Sequence, residues 1–456
     1  MTDFAALDRY VQDRLPTWTD ELIELCRFPS EATNPEALLG AAGWTAERLR
    51  RLGARVEIVT LPDSADVPPL VVGEIGEGPR TVNLVQHYDV QPAHPLELWE
   101  SPPYEPVIRE GRLYARGATD NKGELMARIW GVEAYLATAG ALPCRVRFLV
   151  EGEEESGSKN IGPLLDTRRE LRRADAALIE GGGIDPTDRP FLDCGVRGIL
   201  MVELLVRTLR SDVHSSVASV IENSAARLVA ALATLRDTRG AVALDGFLDD
   251  VREPGEADRA HVRALPTDDL DELRSAYGAA HFLMGRQGAD ALEAIAFEPT
   301  ANIQAIWAGY TGPGTKNVVP AEARARLDFR LVPDQSPERV EAALRAHLDR
   351  RGFDDVQIQH IDSTRAWWTS MEHPVVRAAR AASEAVLRQQ AMISPSMPGS
   401  APMWEVCSRD DVPNVSLGAG RTDCMAHAPN ENYRLSDAAI AARITARFLD
   451  EFAALD

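Results

Sequence analysis

At residues 85–92 the chain reads VQHYDVQP, which sets a histidine and an aspartate two positions apart where an apolar run gives way to a Pro-containing loop. In an extended strand, side chains at i and i+2 share a face, so His87 and Asp89 point the same way. An isolated H-x-D is more often a polar strand end than a site, but here other strand ends supply partners. Asp120 stands in YARGATDNKGE, Glu153, Glu154 and Glu155 in EGEEESGS, Glu180 in ALIEGGG, and His427 in CMAHAPNENYRLSD. Taken singly, each has an ordinary explanation: an acidic loop is usually solvated, and Asp120 could cap the helix that follows it. Together they make a ligand set. Carboxylates converging on one crevice repel each other and are partly protonated unless a cation neutralises them. Two imidazoles with several carboxylates suit Zn²⁺ first, with Mn²⁺ or Co²⁺ as alternatives. Two such ions ~3.5–4 Å apart hold a bridging hydroxide at neutral pH and polarise a carbonyl oxygen. One carboxylate must bridge the pair, and one must stay unligated to move the water's proton to a leaving nitrogen.

The elements that position these residues follow from periodicity. Residues 5–27 and 37–53 read as helices, the second stopped by Gly53. ARVEIV (54–59) and TVNLVQH (81–87) read as strands, and ELMARIWGVEAYLATAG (124–140) carries a helical stripe of Leu125, Ile129, Val132 and Leu136. CRVRFLVEG (144–152) alternates as a strand, and ADAALIEGGG (174–183) is a short strand broken at glycines. Strands alternating with helices at this spacing predict an α/β domain whose sheet is mostly parallel and flanked by helices. In such a sheet, ligands gather beyond the carboxyl ends of the strands, where the residues above stand.

After residue 194 the pattern changes. Strand-like runs at 198–208, 300–310, 323–333 and 356–361 mix with helices at about 222–236 and at 336–352, around an acidic stretch at 240–296. This predicts an α+β module at 195–366 inserted into a catalytic domain formed by 1–194 and 367–456, to which the helix from 373 and the strand VPNVSLG return.

A chain of 456 residues is long enough for two cores. Its net charge of −21 argues against nucleic-acid or anionic-membrane partners, either of which needs a basic face. The opening MTDFAALDRYVQDRLP has neither the basic nor the apolar region of a signal peptide, and no apolar run reaches the roughly 18–20 residues of a membrane span. Five scattered cysteines without a C-x-x-C predict free thiols in a reducing cytoplasm and no cysteine ligands.

In this order and over nearly the whole chain, HYDVQP, WESPPYEPVIREGRLYARGATDNKG, EGEEESGS, VHSS, NVVPAEARARLDFRLVP and AHAPNE resemble a metallopeptidase and deacylase family. It is the dinuclear zinc family of carnosine dipeptidase, carboxypeptidase G, aminoacylase and succinyl-diaminopimelate desuccinylase, and the insert resembles the carnosine/cytosolic nonspecific dipeptidase branch. The resemblance implies that His87, Asp120 and Glu180 hold one metal, and that Asp120, Glu155 and His427 hold the other. It implies Glu154 as general base and Asp89 as the carboxylate orienting His87. His214, in SDVHSS, would stabilise the oxyanion, although Ser216 stands where the family motif His-Ser-Gly has glycine. Asn302, Arg330 and Ser400 resemble positions that hold the substrate's carboxylate. The inserted module would then serve as lid and dimerisation domain, giving a homodimer.

The function implied is hydrolysis of the amide bond of a dipeptide or N-acyl amino acid beside a free carboxylate, dipeptidase- or carboxypeptidase-like. Glu180 pulls toward the carboxypeptidase and N-acyl-amino-acid deacylase branches, since dipeptidase branches tend to carry Asp there. A catalytically silent peptide-binding homologue would have lost a ligand or the base, and all six of His87, Asp120, Glu154, Glu155, Glu180 and His427 are present. A serine hydrolase or nucleotide-binding enzyme finds no support: G-x-S-x-G is missing, and GYTGPGTKN lacks P-loop spacing.

Overall fold

The computed structural model describes residues 2–455 apart from 63, 65, 398 and 400, and apart from the side chains at 268, 269, 272 and 276. It resolves into two units, Met1–Val196 with Trp368–Asp456, and Arg197–Trp367.

The first unit is α/β. Its main sheet runs in the order Arg55–Val59, Leu70–Ile75, Arg145–Glu151, Thr81–His87, Ala176–Ile179, Asn414–Ser416, Pro190–Asp193, Met392–Ser394. The centre is parallel: Thr81–His87 pairs with Arg145–Glu151 on one side and Ala176–Ile179 on the other, and Asn414–Ser416 continues it. One edge is antiparallel, because Leu70–Ile75, a strand the periodicity did not single out, forms a hairpin with Arg55–Val59. Residues 82–87 and 146–151 are buried, as strands covered on both faces must be.

Helix Lys122–Ala139 is buried along all but its last turn, which suits a helix at the centre of a layer rather than on a surface. It packs against Phe4–Cys26 and Leu435–Ala453. Trp18 and Trp130 stack at 5.3 Å between the first pair. Gly131 lets Leu435–Ala453 approach, for a Cβ there would lie 2.6 Å from the Ala442 carbonyl. A smaller sheet joins Asn432–Arg434 to Arg112–Tyr114, with Tyr433 opposite Leu113, and then to Val107–Arg109.

The inserted unit has a four-stranded antiparallel sheet ordered Thr300–Ala308, Glu322–Leu331, Gly198–Arg207, Gln357–Thr364. Helices Ser224–Leu232 and Pro337–Arg350 share an apolar core with it that includes Leu200, Leu204, Leu228, Phe329 and Leu344. The acidic stretch contains three helices, Glu256–Arg263, Asp268–Ala276 and Gly288–Phe297. Among the described residues, no helix is long and apolar enough to cross a membrane. All five cysteines are free.

Candidate metal centre

The sheet order explains why distant acids meet. Three neighbouring parallel strands end together: Thr81–His87 delivers His87, Arg145–Glu151 runs into Glu154 and Glu155, and Ala176–Ile179 ends one residue before Glu180. The smaller sheet supplies the rest. Asp120 follows strand Arg112–Tyr114 and His427 precedes strand Asn432–Arg434, and these two strands are antiparallel partners.

Asp120 lies between the two imidazoles. Its Oδ1 is 3.2 Å from His87 Nε2, and its Oδ2 is 2.9 Å from His427 Nε2. Glu180 reaches His87 Nε2 at 2.8 Å, and Glu155 reaches His427 Nε2 at 3.2 Å. Glu154 stands back, with Oε2 4.0 Å from His87 Nε2. Two sets of donor atoms lie within 4.8 Å of one another, His87 with Asp120 and Glu155, and His87 with Glu154 and Glu180, and each set could hold a metal ion.

Electrostatics points the same way. Burial works against protonating His87, yet Glu180, Asp120 and Asp89 outweigh it and hold its pKa well above the usual histidine value. Hydrogen bonds to Asp120 and Glu155 push His427 up to about 10. Burial also raises Asp120, but His427 and His87 more than reverse that and keep it ionised. Burial, with Glu180 alongside, raises Glu154 strongly, and burial raises Glu180. Protons on both imidazoles thus stand where positive charge is demanded, as this donor chemistry requires of a cation site.

Asp89 does more than face the ring. Its Oδ1 lies 3.2 Å from His87 Nδ1, and its two oxygens accept the backbone N–H groups of Glu154 and Glu155 at 3.3 and 3.0 Å. Glu153, next to Glu154 in the same loop, accepts from Asn160 Nδ2 with both carboxylate oxygens, at 3.0 and 2.8 Å. The helix after Asp120 begins with Asn121 as its first flanking residue, so Asp120 is not its cap.

Three further residues escaped the sequence reading. Gln91 Nε2 donates to Glu155 Oε2 at 2.9 Å, a contact that its position two residues after Asp89 could have signalled. Asn121 Oδ1 accepts the His87 N–H at 3.3 Å. Glu431, four residues after His427, is fully buried beneath Asp120.

His214, Asn302 and Arg330 belong to the inserted unit. His214 is exposed, and its Nδ1 accepts the Ser216 backbone N–H at 3.1 Å with the Ser216 hydroxyl at 2.9 Å. Asn302 donates to Asp328 Oδ1 at 2.8 Å, and the Arg330 N–H donates to Thr300. Ser400 lies outside the described residues.

Residues 84–451 match the sequence profile of peptidase family M20/M25/M40. The human Beta-Ala-His dipeptidase is 32% identical over 362 residues, 75% of this chain and 69% of its own length. The Cys-Gly metallodipeptidase dug1 of Schizosaccharomyces pombe is 26% identical over 474 residues, 97% of this chain and 96% of its own. Among solved structures, the M20 family metallo-carboxypeptidase Sso-CP2 from Sulfolobus solfataricus superposes with a TM-score of 0.87 at 34% identity, covering 96% of this chain and 99% of that one.

Proposed function

The chain belongs to peptidase family M20/M25/M40, and we propose that within it the protein is a metal-dependent hydrolase cleaving the amide bond of a dipeptide beside its free carboxylate. The observation that carries this reading is Asp120, one carboxylate with an oxygen on each of two imidazoles, the first flanked by Glu180 and the second by Glu155. That donor set fits two divalent cations, one held by His87, Asp120 and Glu180, the other by Asp120, Glu155 and His427. Zn²⁺ is the first choice, with Mn²⁺ or Co²⁺ as alternatives. Bound there, the ions supply Lewis acidity that acidifies water and polarises the scissile carbonyl.

The chain's own residues do the rest. Glu154 is half-buried, raised in pKa by desolvation and by Glu180, and set back from the imidazoles, as suits a general base. It takes the proton of the attacking water and returns it to the leaving nitrogen, so the amine departs neutral. Asp89 holds His87 in orientation through Nδ1. His214 donates from Nε2 to the carbonyl oxygen as charge builds there, and Asn302, Arg330 and Ser400 hold the substrate's carboxylate. The inserted unit is then the lid, and a cytoplasmic homodimer completes the reading.

The relatives' names support a dipeptide substrate, since Beta-Ala-His and Cys-Gly are both dipeptides. Glu180 and the likeness to a metallo-carboxypeptidase favour a second reading, release of a carboxyl-terminal residue or of an N-acyl group. The test is a panel of dipeptides and N-acyl amino acids on chelator-stripped protein, reloaded separately with Zn²⁺, Mn²⁺ and Co²⁺. Metal-restored turnover of dipeptides is expected. Full activity in the stripped protein would refute the assignment, and turnover confined to N-acyl amino acids would select the second reading.

A further inference from the structure

Glu431 receives more donors than any ligand candidate does. Its side chain is 0% exposed. Oε2 accepts Arg116 Nη1 at 2.8 Å and the Gly117 N–H at 2.9 Å, and Oε1 accepts the N–H groups of Thr119 and Asp120 at 2.9 and 3.0 Å. Four donors converging on one buried carboxylate leave it no exposed oxygen for a cation or a substrate. Its role must therefore be exerted through the groups it holds. Those groups form the turn between Arg116 and Asp120, a turn that needs Gly117 at a positive φ of 81°.

The same short stretch carries His427 four residues earlier, and further bonds tie it to the Asp120 turn. The Ala115 N–H donates to the Glu431 carbonyl at 3.1 Å, and Thr119 Oγ1 donates to the Asn432 carbonyl at 2.7 Å. Arg116, buried as well, places its guanidinium 5.4 Å from the Trp99 ring centroid and donates to the Pro92 carbonyl at 3.3 Å. The loop after Asp89 is thereby drawn into the same assembly.

We propose that Glu431 is a positioning residue for the metal centre: it fixes the turn bearing Asp120 against the turn bearing His427, so that the two are set as one piece. The inference rests on the dinuclear reading above, because what Asp120 and His427 are set for is the shared cation site. A buried carboxylate bonded to charged and neutral N–H donors is strongly localising, since each such bond is short and directional. Losing one such partner behind a metal ligand typically costs about 10- to 100-fold in metal affinity.

The test is Glu431→Gln in the full chain, titrated with Zn²⁺ alone in competition with a chromogenic chelator. The amide keeps one acceptor oxygen, but its NH₂ group opposes either Arg116 and Gly117 or Thr119 and Asp120. A loss of about 10- to 100-fold in Zn²⁺ affinity is expected, with KM unchanged once excess Zn²⁺ restores turnover. Glu133→Gln is the control for a merely structural role. Glu133 binds Arg48 and Trp18 among the helices of the first unit, so its loss should lower Tm and leave Zn²⁺ affinity alone. Wild-type Zn²⁺ affinity in Glu431→Gln, whatever its Tm, overturns the inference. If Glu431→Gln does not fold, Arg116→Met decides: it spares the three backbone donors, so weaker Zn²⁺ binding supports the proposal and unchanged binding overturns it. Should the wild-type chain itself take up no Zn²⁺, Mn²⁺ or Co²⁺, the dinuclear reading fails first and takes this inference with it.

Discussion

Asp89 Oδ2 accepts the backbone N–H of Glu155 at 3.0 Å. The carboxylate facing His87 therefore also fixes the loop that carries Glu154 and Glu155, the proposed base and a proposed ligand of the second cation. In Asp89→Asn one oxygen becomes an NH₂ group, which cannot accept from an N–H and cannot face the proton on His87 Nδ1. Either amide orientation leaves one of those relationships broken. Activity at saturating metal is expected to fall by about 10- to 100-fold, with weaker metal binding in chelator competition. Metal binding and kcat both at wild-type levels would show that Asp89 does not connect the two elements.

Glu154 differs from its neighbour in what it touches. Glu155 is held by Gln91 and reaches His427, whereas the Glu154 carboxylate only approaches His87, at 4.0 Å. Glu154→Ala should therefore lower kcat by about 10²- to 10⁴-fold, the range of general acid–base catalysis. Metal content by elemental analysis should stay near that of the wild type. Substantial metal loss would reassign Glu154 as a ligand.

The metal-free protein should respond to pH in a defined direction. His427, raised to about 10, contributes stability below the ordinary histidine pKa of about 6.5 and loses it as pH rises through its folded value. Glu154 and Glu180, both raised by burial, act with the same sign, and Asp120, lowered, stays ionised throughout this window. Cations bind the deprotonated donors and displace these protons. The rise in Tm on adding Zn²⁺ should consequently grow between pH 6.5 and 9, as read by scanning fluorimetry. A rise that shrinks with pH would contradict this electrostatic account.

Much of the centre was legible in the sequence because its candidate ligands stand at strand ends, and strand ends are what hydrophobic runs mark. His87 ends Thr81–His87, and Glu155 and Glu180 follow Arg145–Glu151 and Ala176–Ile179 closely. The meeting of Asp120 with His427 was not legible from periodicity, since it depends on three-residue strands, too short for a pattern, pairing Tyr433 with Leu113. Leu70–Ile75 was missed for a related reason. Its short apolar run has neither alternation nor a flanking helix, and pairing with Arg55–Val59 and Arg145–Glu151 makes it a strand. Glu431 carries no periodic signal, for its role lies in four hydrogen bonds made to a segment more than three hundred residues away.

His214 offers a test of the inserted unit's part in the chemistry. Its Nδ1 accepts the backbone N–H of Ser216, so in the neutral ring the proton sits on Nε2, the tautomer an oxyanion donor needs. That bond comes from the Ser216 backbone and does not require a glycine at 216. His214→Ala should accordingly lower kcat by about 10²- to 10³-fold, the cost of losing one oxyanion donor. KM and bound metal should change little, because an oxyanion donor acts on charge that exists only in the transition state. Ser216→Gly, by contrast, should keep kcat within a few-fold of the wild type. Steady-state kinetics on the two variants with the same dipeptide decides the point: equal losses in both would assign the effect to the loop's shape, and a raised KM with unchanged kcat in His214→Ala would make the residue a ground-state binder.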